Sequence, residues 1–280
     1  MTARVSIVVP AYNNAEYIEA TMRSILAQTF SDIEIIVADH GSTDETLAIL
    51  QQFTEDPRVT LLSTEAGGGA ARNWNRATQA ATSPLIKLVC GDDLLYPDIV
   101  AHQVAAFDDD DDIVLVASAR DIVDARSRPV FRNRGITGIA GRRTGKFAVR
   151  RTVRDGTNSF GEPACVMMRT SVLVGVGGWA AGEEYLIDEA TYVSVLLQGD
   201  FVGLPVALAA FRLNASQWSV RLGRDQADQA IAFHRALRAR RPDVVSSIDV
   251  IIGNVRARIN ALSRRMVYAL LGRRMFGTGQ

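Results

Sequence analysis

Apolar and polar positions divide the first part of the chain into short strand-like runs separated by amphipathic stretches. The runs, rich in valine, isoleucine and leucine, predict strands at 5–10, 33–38, 58–62, 84–90 and 113–119. Apolar residues recur at helical spacing between them and predict helices over 15–28, 44–53, 69–81 and 97–107. Strands that alternate with helices in this way favour a doubly wound, mostly parallel α/β sheet with helices on both faces.

The pattern changes in the second part of the chain. Arginine and glycine are frequent over 121–145, which predicts an irregular excursion. Strand-like and helix-like patterns then return at 163–168 (strand), 189–198 (helix) and 201–204 (strand). After Ser219 the pattern is helical to the end, so the sequence predicts an α/β unit over 1–219 and a helical C-terminal extension over 220–280.

Composition narrows the class of protein. Apolar residues make up 48% of the 280 residues, charged residues 22%, and the formal net charge is zero, which gives no reason to expect nucleic acid as a partner. No leader pattern and no run of about 18 apolar residues occurs, so we expect a cytoplasmic protein. Cys90 and Cys165 lie in apolar runs without metal-like spacing and are expected to be reduced core residues.

Candidate chemistry lies where strands end, because active sites of such sheets form at the carboxyl ends of the strands. The strand that ends before Gly91 is followed by two adjacent acids, Asp92 and Asp93. Adjacent carboxylates suit a divalent cation that bridges the protein to substrate phosphates, although the same pair is also typical of a solvated turn. Another strand ends at Asp39, which can accept hydrogen bonds from a base or ribose or can belong to a helix-capping turn together with Ser42.

Taken together, the motifs resemble glycosyltransferase family 2. They are Val5-Ser-Ile-Val-Val-Pro-Ala-Tyr-Asn13, Ser24-Ile-Leu-Ala-Gln-Thr-Phe30, Asp39-His-Gly-Ser-Thr-Asp44 and Gly91-Asp-Asp93, in that order. The resemblance continues through Gly161-Glu-Pro163, Gly177-Gly-Trp179, Tyr185-Leu-Ile-Asp188 and Leu208 to Arg212, and covers about residues 4–219. It implies the GT-A fold, with a nucleotide-sugar-binding half over about 1–119 and an acceptor-binding half over 120–219.

The resemblance also implies roles for individual residues on the donor side. Pro10 and Tyr12 are expected to lie against the base of a nucleoside-diphosphate sugar, and Asp39 to contact the nucleoside. Arg72 is expected to approach the donor from the helix that follows the glycines, and Asp92 to lie near the ribose.

On the reacting side, Asp93 is implied as the more direct ligand of Mn²⁺ or Mg²⁺, with Asp92 completing the pair. Asp188 matches the general base that accepts the proton of the acceptor hydroxyl, and Glu184 and Glu189 are the next candidates for that role. An exposed turn acid is the alternative for Asp188 taken alone. A single displacement inverts the anomeric centre, and the acceptor is expected to be a glycan, a lipid-linked sugar or a small molecule.

Two departures from the family pattern bear on these expectations. His40 stands where an acid or asparagine is common, which weakens any assignment of the base to uracil, and Cys90 stands where an acid is common. They keep open a non-catalytic nucleotide-sugar-binding protein with the same fold. A dinucleotide-dependent oxidoreductase is disfavoured because Gly67-Gly-Gly69 follows the third strand and Arg72 occupies the last glycine position of that fingerprint.

The chain contains only two lysines among 31 basic residues, which indicates a high-GC bacterial genome and favours cell-envelope or secondary-metabolite glycans. In the extension, apolar residues recur at i, i+3, i+4 and i+7: Ile251, Ile252, Val255, Ile259, Leu262, Met266 and Leu270. Arginines flank this stripe. The stripe is expected to pack on the catalytic domain or on a second copy of the chain, or else to lie on an anionic membrane surface, at the inner face of the cytoplasmic membrane.

Overall fold

A computed structural model describes residues 2–108, 110–182, 185–214 and 225–276. Ten strands of this part of the chain form one mixed sheet. They are β1 (Val5–Ala11), β2 (Ile33–Asp39), β3 (Val59–Ser63), β4 (Leu85–Leu88), β5 (Leu94–Leu95), β6 (Ile113–Val123), β7 (Pro129–Arg134), β8 (Gly141–Arg143), β9 (Val166–Arg169) and β10 (Asp200–Arg212). Their spatial order is β3-β2-β1-β4-β9-β6-β10-β5, with β7 beside β6 and β8 beside β10.

Helices flank the sheet. They are α1 (Ile18–Leu26), α2 (Thr46–Gln51), α3 (Gly69–Gln79), α4 (Ile99–Asp108), α5 (Gly145–Asp155), α6 (Thr170–Gly175), α7 (Ile187–Leu196), α8 (Gln226–Arg240) and α9 (Ser247–Leu271). Short 3₁₀ turns occur at Pro163–Cys165 and Gly272–Met275.

The sheet consists of parallel strands to which shorter antiparallel pairs are added. The four strands β3, β2, β1 and β4 run parallel, as does the long pair β6 and β10. Antiparallel pairs, which join only two or three residues each, attach β9, β5, β7 and β8. All residues of β1 and β4 are buried, as expected for strands covered on both faces. The predicted doubly wound, mostly parallel α/β sheet is therefore confirmed.

Differences from the predicted elements have local causes. Helix α1 begins at Ile18 rather than at residue 15. Asn13 and Asn14 precede it, and their side-chain oxygens accept from the amides of Thr43 and Tyr12 rather than from amides of the helix. The excursion predicted over 121–145 is wrong. There β6 continues to Val123 and is followed by β7 and β8, whose exposed, charged residues lack the apolar signal of a buried strand.

The C-terminal helices belong to the main core. Leu237 of α8 and Val244, Val245 and Val250 around the start of α9 are buried in the same apolar cluster as the sheet. A capping box formed by Ser246 and Asp249 begins α9. The predicted boundary at Ser219 lies outside the described residues.

Helix α9 packs through its small residues. Gly253, Ala257 and Ala261 are buried, and a Cβ on Gly253 would lie 2.1 Å from the carbonyl oxygen of Val153 in α5, so only glycine allows this approach. The large apolar residues point the other way, and except for the half-buried Ile252 the predicted stripe is exposed. The expectation that this stripe packs on the catalytic domain is therefore wrong. None of the helices in the described part of the chain is both long enough and apolar enough to cross a bilayer.

Candidate active site

The loops after β1 and β2 hold each other in place. The backbone amide of Asn13 donates to the Ser42 hydroxyl at 3.0 Å, and the Asn13 side-chain oxygen accepts from the amide of Thr43 at 2.8 Å. Asn13 has a φ of 51°, a left-handed conformation that asparagine tolerates better than most residues. The amide of Asn14 donates to the hydroxyl of Thr46 at 2.7 Å. These bonds give the carboxyl ends of the two strands a fixed geometry.

Asp39, at the end of β2, has an unused acceptor. Its side chain is 1% exposed, and Oδ2 accepts a hydrogen bond of 3.1 Å from the amide of Ser42. Oδ1 is buried and has no hydrogen-bond partner. A buried carboxylate oxygen is costly without a partner, so this atom fits a ligand N–H or O–H.

His40 presents a second unpaired atom. Its Nδ1 lies 3.0 Å from the hydroxyl of Thr64, whose own hydrogen goes to the Asp39 carbonyl at 2.9 Å. The Thr64 oxygen therefore accepts from Nδ1, and Nε2 is buried without a partner. The ring of Tyr12, 53% exposed, lies edge-on to the His40 ring at 6.2 Å between centroids. Pro10 is buried in β1 opposite Ala38, so Tyr12 is the exposed aromatic surface of this loop.

Asp92 and Asp93 follow β4, two strands from Asp39. Asp93 is 1% exposed, which corrects the view of this pair as a solvated strand end, whereas Asp92 is half-buried. Oδ2 of Asp92 accepts from the side-chain amide of Asn214 at 3.0 Å, and Oδ1 of Asp93 accepts from the backbone amide of Arg212 at 3.2 Å. Burial raises the pKa of Asp93 well above its usual range, and the charges of Asp92 and Glu162 raise it further.

The aspartate pair fits a divalent cation in the chemistry of its ligands. Each carboxylate keeps one oxygen without a hydrogen bond among the described residues. Within the same residues there is no cluster of three or more histidine, cysteine, aspartate or glutamate side chains with metal-site geometry. Two carboxylates without a third protein ligand match a cation whose shell is completed by phosphate oxygens and water.

Arg212, to which the sequence gave no role of its own, holds the backbone and side chains around the aspartate pair. It is 2% exposed, and its guanidinium donates to the carbonyl of Asp92 at 2.8 Å and to the hydroxyl of Ser127 at 2.7 Å. It also stacks over the ring of Tyr17 at 4.6 Å from the centroid. The signal in the sequence was an arginine that ends the apolar run of β10.

Asp188 lies in the first turn of α7 and is the predicted general base. Its Oδ2 accepts from the side chain of Asn158 at 2.9 Å, and its Oδ1 accepts from the amide of Glu189 at 2.7 Å. Burial raises the pKa of Asp188 to about 7, although both hydrogen bonds act in the opposite direction. Glu189 is 2% exposed and bonds to the hydroxyl of Thr152, and burial together with the charge of Asp188 raises its pKa to about 8. Glu184 lies outside the described residues.

The acids from separate parts of the sequence converge. The thiol of Cys90 lies within electrostatic range of Asp93, Asp92, Asp188 and Glu162, whose charges add to burial in raising its pKa. Glu162 lies within electrostatic range of both predicted groups, since its charge raises the pKa of Asp93 and of Asp188. The structure therefore brings the aspartate pair and Asp188 into one acidic site.

Glu162 is a second residue to which the sequence gave no role of its own. It forms an ion pair with Arg120, at 2.6 Å between Nε and Oε2 and 3.0 Å between Nη2 and Oε1. The positive charge of Arg120 thus compensates the charge of Glu162, one of the four acids of the site beside Asp92, Asp93 and Asp188. A glutamate between glycine and proline, in Gly161-Glu-Pro163, was the available signal.

Arg72 lies apart from this acidic site in the first turn of α3. It is exposed, and its guanidinium donates to the carbonyl of Gly67 at 3.2 Å. Its aliphatic part occupies the space beside Gly68, where a Cβ would meet it at 2.3 Å. The side chain thus covers the glycine loop after β3, the strand at the edge of the parallel part of the sheet.

Comparison with known sequences places the chain among sugar transferases. The sequence model of the glycosyl transferase family 2 matches residues 6–176, more than half of the chain. A protein of Mycobacterium tuberculosis described as uncharacterized is 29% identical over 223 residues, which are 78% of this chain and 70% of that protein.

Relatives with assigned names match over shorter segments. The glycosyltransferase GlyG of Streptococcus pneumoniae is 38% identical over 101 residues, 36% of this chain and 34% of that protein. The chondroitin synthase of Escherichia coli is 40% identical over 97 residues, 34% of this chain and 14% of that protein. The matched segments thus span about a third or less of these two relatives.

Solved structures match over most of the chain. A mannosyltransferase from Pyrobaculum calidifontis, in complex with GDP-Man and Mn²⁺, superposes with a TM-score of 0.66 at 18% identity, covering 97% of this chain and 76% of that one. Residues 1–349 of TarS from Staphylococcus aureus, in complex with UDP-GlcNAc, superpose with a TM-score of 0.65 at 19% identity, covering 84% of this chain and 66% of that one. At these identities the likeness concerns the fold.

Proposed function

The chain belongs to glycosyl transferase family 2 and has the GT-A fold, and on that premise we propose that it is a metal-dependent, inverting transferase. It moves a sugar from a nucleoside-diphosphate sugar to an acceptor hydroxyl. The observation that carries the proposal is the convergence of Asp92, Asp93 and Asp188 around Cys90. A cation-binding pair and a candidate base in one site are what such a displacement requires.

The donor site lies along the carboxyl ends of β1, β2 and β4. The exposed ring of Tyr12, with Pro10 behind it, supports the base, and the unpaired Oδ1 of Asp39 accepts a hydrogen bond from the nucleoside. Asp92 lies near the ribose. Arg72 reaches the donor only if it leaves the carbonyl of Gly67, so its contribution depends on rearrangement of the glycine loop.

Asp93 and Asp92 would hold Mn²⁺ or Mg²⁺ through the carboxylate oxygens that have no hydrogen bond. When bound, the cation would neutralise the negative charge that develops on the departing diphosphate. Arg212 holds this pair in place, since its guanidinium donates to the Asp92 carbonyl and its backbone amide donates to the Asp93 carboxylate. The Mn²⁺ in the superposed mannosyltransferase supports a cation in this fold.

Asp188 accepts the proton of the acceptor hydroxyl while that oxygen attacks the anomeric carbon. Asn158 and the amide of Glu189 orient its two oxygens. A pKa of about 7 makes Asp188 a stronger base than an ordinary aspartate while leaving a large ionised fraction near neutral pH. One displacement inverts the anomeric centre and needs no covalent intermediate.

The acceptor half is proposed to include residues 120–219, and the acceptor to be a glycan, a lipid-linked sugar or a small molecule of cell-envelope or secondary-metabolite synthesis. Glu162 and Arg120, which form an ion pair, belong to this segment of the chain. The low lysine content and the sugar-polymer synthases among the relatives support this class.

A panel of nucleoside-diphosphate sugars with Mn²⁺ tests the function. Enzymatic release of the nucleoside diphosphate, dependent on acceptor and lost in Asp188→Asn, is the expected result. The alternative is a protein that binds nucleotide sugars without turnover. That alternative would be supported by saturable donor binding with no release from any donor.

A further inference from the structure

The outer face of α9 carries an apolar stripe that nothing in the described part of the chain covers. Its members are Ile248, Ile251, Val255, Ile259, Leu262, Met266 and Leu270, and each is more than half exposed, from 52% for Val255 to 83% for Leu270. At 1.5 Å per residue the stripe is about 33 Å long. Contiguous apolar surfaces of this size mark interaction sites.

The orientation of α9, which exposes the stripe, is fixed by close packing of its other face. The opposite face of α9 packs closely on α5 through Gly253, Ala257 and Ala261. The side chain of Asn260 donates to the carbonyls of Asp155 and Gly156 at 2.9 and 3.2 Å. The helix is therefore fixed in rotation, and its large apolar residues face outward in the folded chain.

The charged residues on both flanks of the stripe are arginines, so both flanks are positive. Arg256 lies on one side and Arg258 and Arg265 on the other, and all three are exposed. The one acid of α9, Asp249, is fully buried. Beside Arg256, a shallow pocket of about 360 Å³ is lined by Phe147 and by arginines of α5, namely Arg150, Arg151 and Arg154.

These arginines are only partly neutralised. Together with Arg256 they share two carboxylates, Asp155 and Asp249, and their side chains stay 36% to 52% exposed. The flank therefore keeps a net positive charge and guanidinium groups that can still donate to phosphate oxygens.

We propose that α9 lies in the surface of an anionic membrane, with the apolar stripe inserted and the flanking arginines at the phosphate headgroups. An exposed apolar face bordered by basic residues is the pattern of helices that lie in the interface. A second copy of the chain is a poorer occupant, because two such faces would bring arginines together and the exposed surface of α9 offers no carboxylate to pair with them.

The same docking would place the active site near the membrane. After α9 the turn Gly272–Met275 packs on Leu213, and the carbonyl of Arg274 accepts from the amide of Ala125 at 3.2 Å. Leu213 lies between Arg212 and Asn214, which bind the aspartate pair. The end of the stripe is thus close to the site, although the docking itself does not depend on the proposed transfer.

Sedimentation with vesicles tests the proposal on the full chain, because removal of α9 would uncover the core. The test variant is Ile259→Gln, Leu262→Gln and Met266→Gln, and the control is Val174→Gln, Val206→Gln and Phe131→Gln, three exposed apolar residues elsewhere. Both leave the net charge unchanged. Circular dichroism and melting temperature establish that both fold.

With vesicles of equal parts phosphatidylglycerol and phosphatidylcholine, we expect the wild type and the control to sediment and the test variant to lose more than about tenfold in partitioning. Phosphatidylcholine alone or high salt should weaken wild-type binding. Absence of wild-type binding, or equal binding of the test variant, would overturn the proposal. It would also be overturned by a dimer in sedimentation equilibrium that the test variant alone converts to monomer.

Discussion

The backbone amide of Arg212 donates a hydrogen bond of 3.2 Å to the carboxylate of Asp93, although the two residues are 119 positions apart. The last strand of the sheet thereby fixes the aspartate pair that follows β4. The guanidinium of Arg212 continues the connection to the carbonyl of Asp92 and to Ser127. The geometry of the pair is therefore set by β10 as well as by the segment that follows β4.

Arg212→Met should destabilise the fold and weaken donor binding. The substitution removes the donor to the carbonyls of the half-buried Asp92 and the buried Ala125 and to the hydroxyl of the exposed Ser127, at a cost of about 3 kcal/mol. Denaturant unfolding measures this cost. The control Arg132→Met removes an exposed arginine from the neighbouring β7 and should change the free energy of unfolding by less than about 0.5 kcal/mol. Equal, small effects of both substitutions would show that Arg212 does not organise the site.

Asp93→Asn should abolish metal-dependent donor binding while the chain stays folded. Asparagine keeps a side-chain oxygen for the amide of Arg212 but removes the charge that attracts the cation. Calorimetric titration of a nucleoside diphosphate with and without Mn²⁺ measures the loss. Asp32→Asn, an exposed aspartate before β2, is the matched control. Unchanged metal-dependent affinity in Asp93→Asn would remove this residue from the metal site.

Asp188→Asn should bind donor and metal as the wild type does but transfer sugar about 10²- to 10⁴-fold more slowly, because a general base acts on the reaction and not on donor binding. Glu189→Gln is the control, since it keeps the backbone amide that binds Asp188. Transfer that survives Asp188→Asn within a factor of about three but fails in Glu189→Gln would assign the base to Glu189.

The rate of transfer should depend on pH through Asp188. Its ionised form is the active one, so with a pKa of about 7 the rate falls as the pH drops below about 7 and is constant above it. Asn158→Ala removes a hydrogen bond that favours the ionised form, and the fall should then begin at higher pH. A profile of kcat against pH for both proteins measures the shift. An unchanged or lowered midpoint in the variant would separate Asn158 from the titrating group.

Sequence pattern predicted the buried strands of the fold well and the exposed strands β7 and β8 poorly. Buried strands such as β1 carry a continuous apolar signal, whereas β7 is exposed and charged, so its pairing with β6 depends on tertiary context. Likewise the strand-end acids could be identified one by one. The positions of Arg212 and Glu162 beside them could not, because those contacts join segments that are far apart in the sequence.

The helical stripe illustrates a different limit. Periodicity correctly grouped the apolar residues of α9 on one face, but it could not tell whether that face or the opposite one packs inward. Gly253 decides the question, since its backbone touches Val153 and brings the small-residue face against α5. Small residues at helical spacing were therefore the more informative signal.

The central claim, a cation-dependent nucleoside-diphosphate site at Asp92 and Asp93, is tested most directly by thermal denaturation. A ligand that binds only the folded chain stabilises it by about 2.7 kcal/mol at a concentration of 100 Kd. We expect at least one nucleoside diphosphate to raise the Tm of the wild type only when Mn²⁺ or Mg²⁺ is present, and Asp93→Asn to lose that rise. A Tm that no nucleoside diphosphate raises with either metal, or that rises equally without metal, would contradict the account.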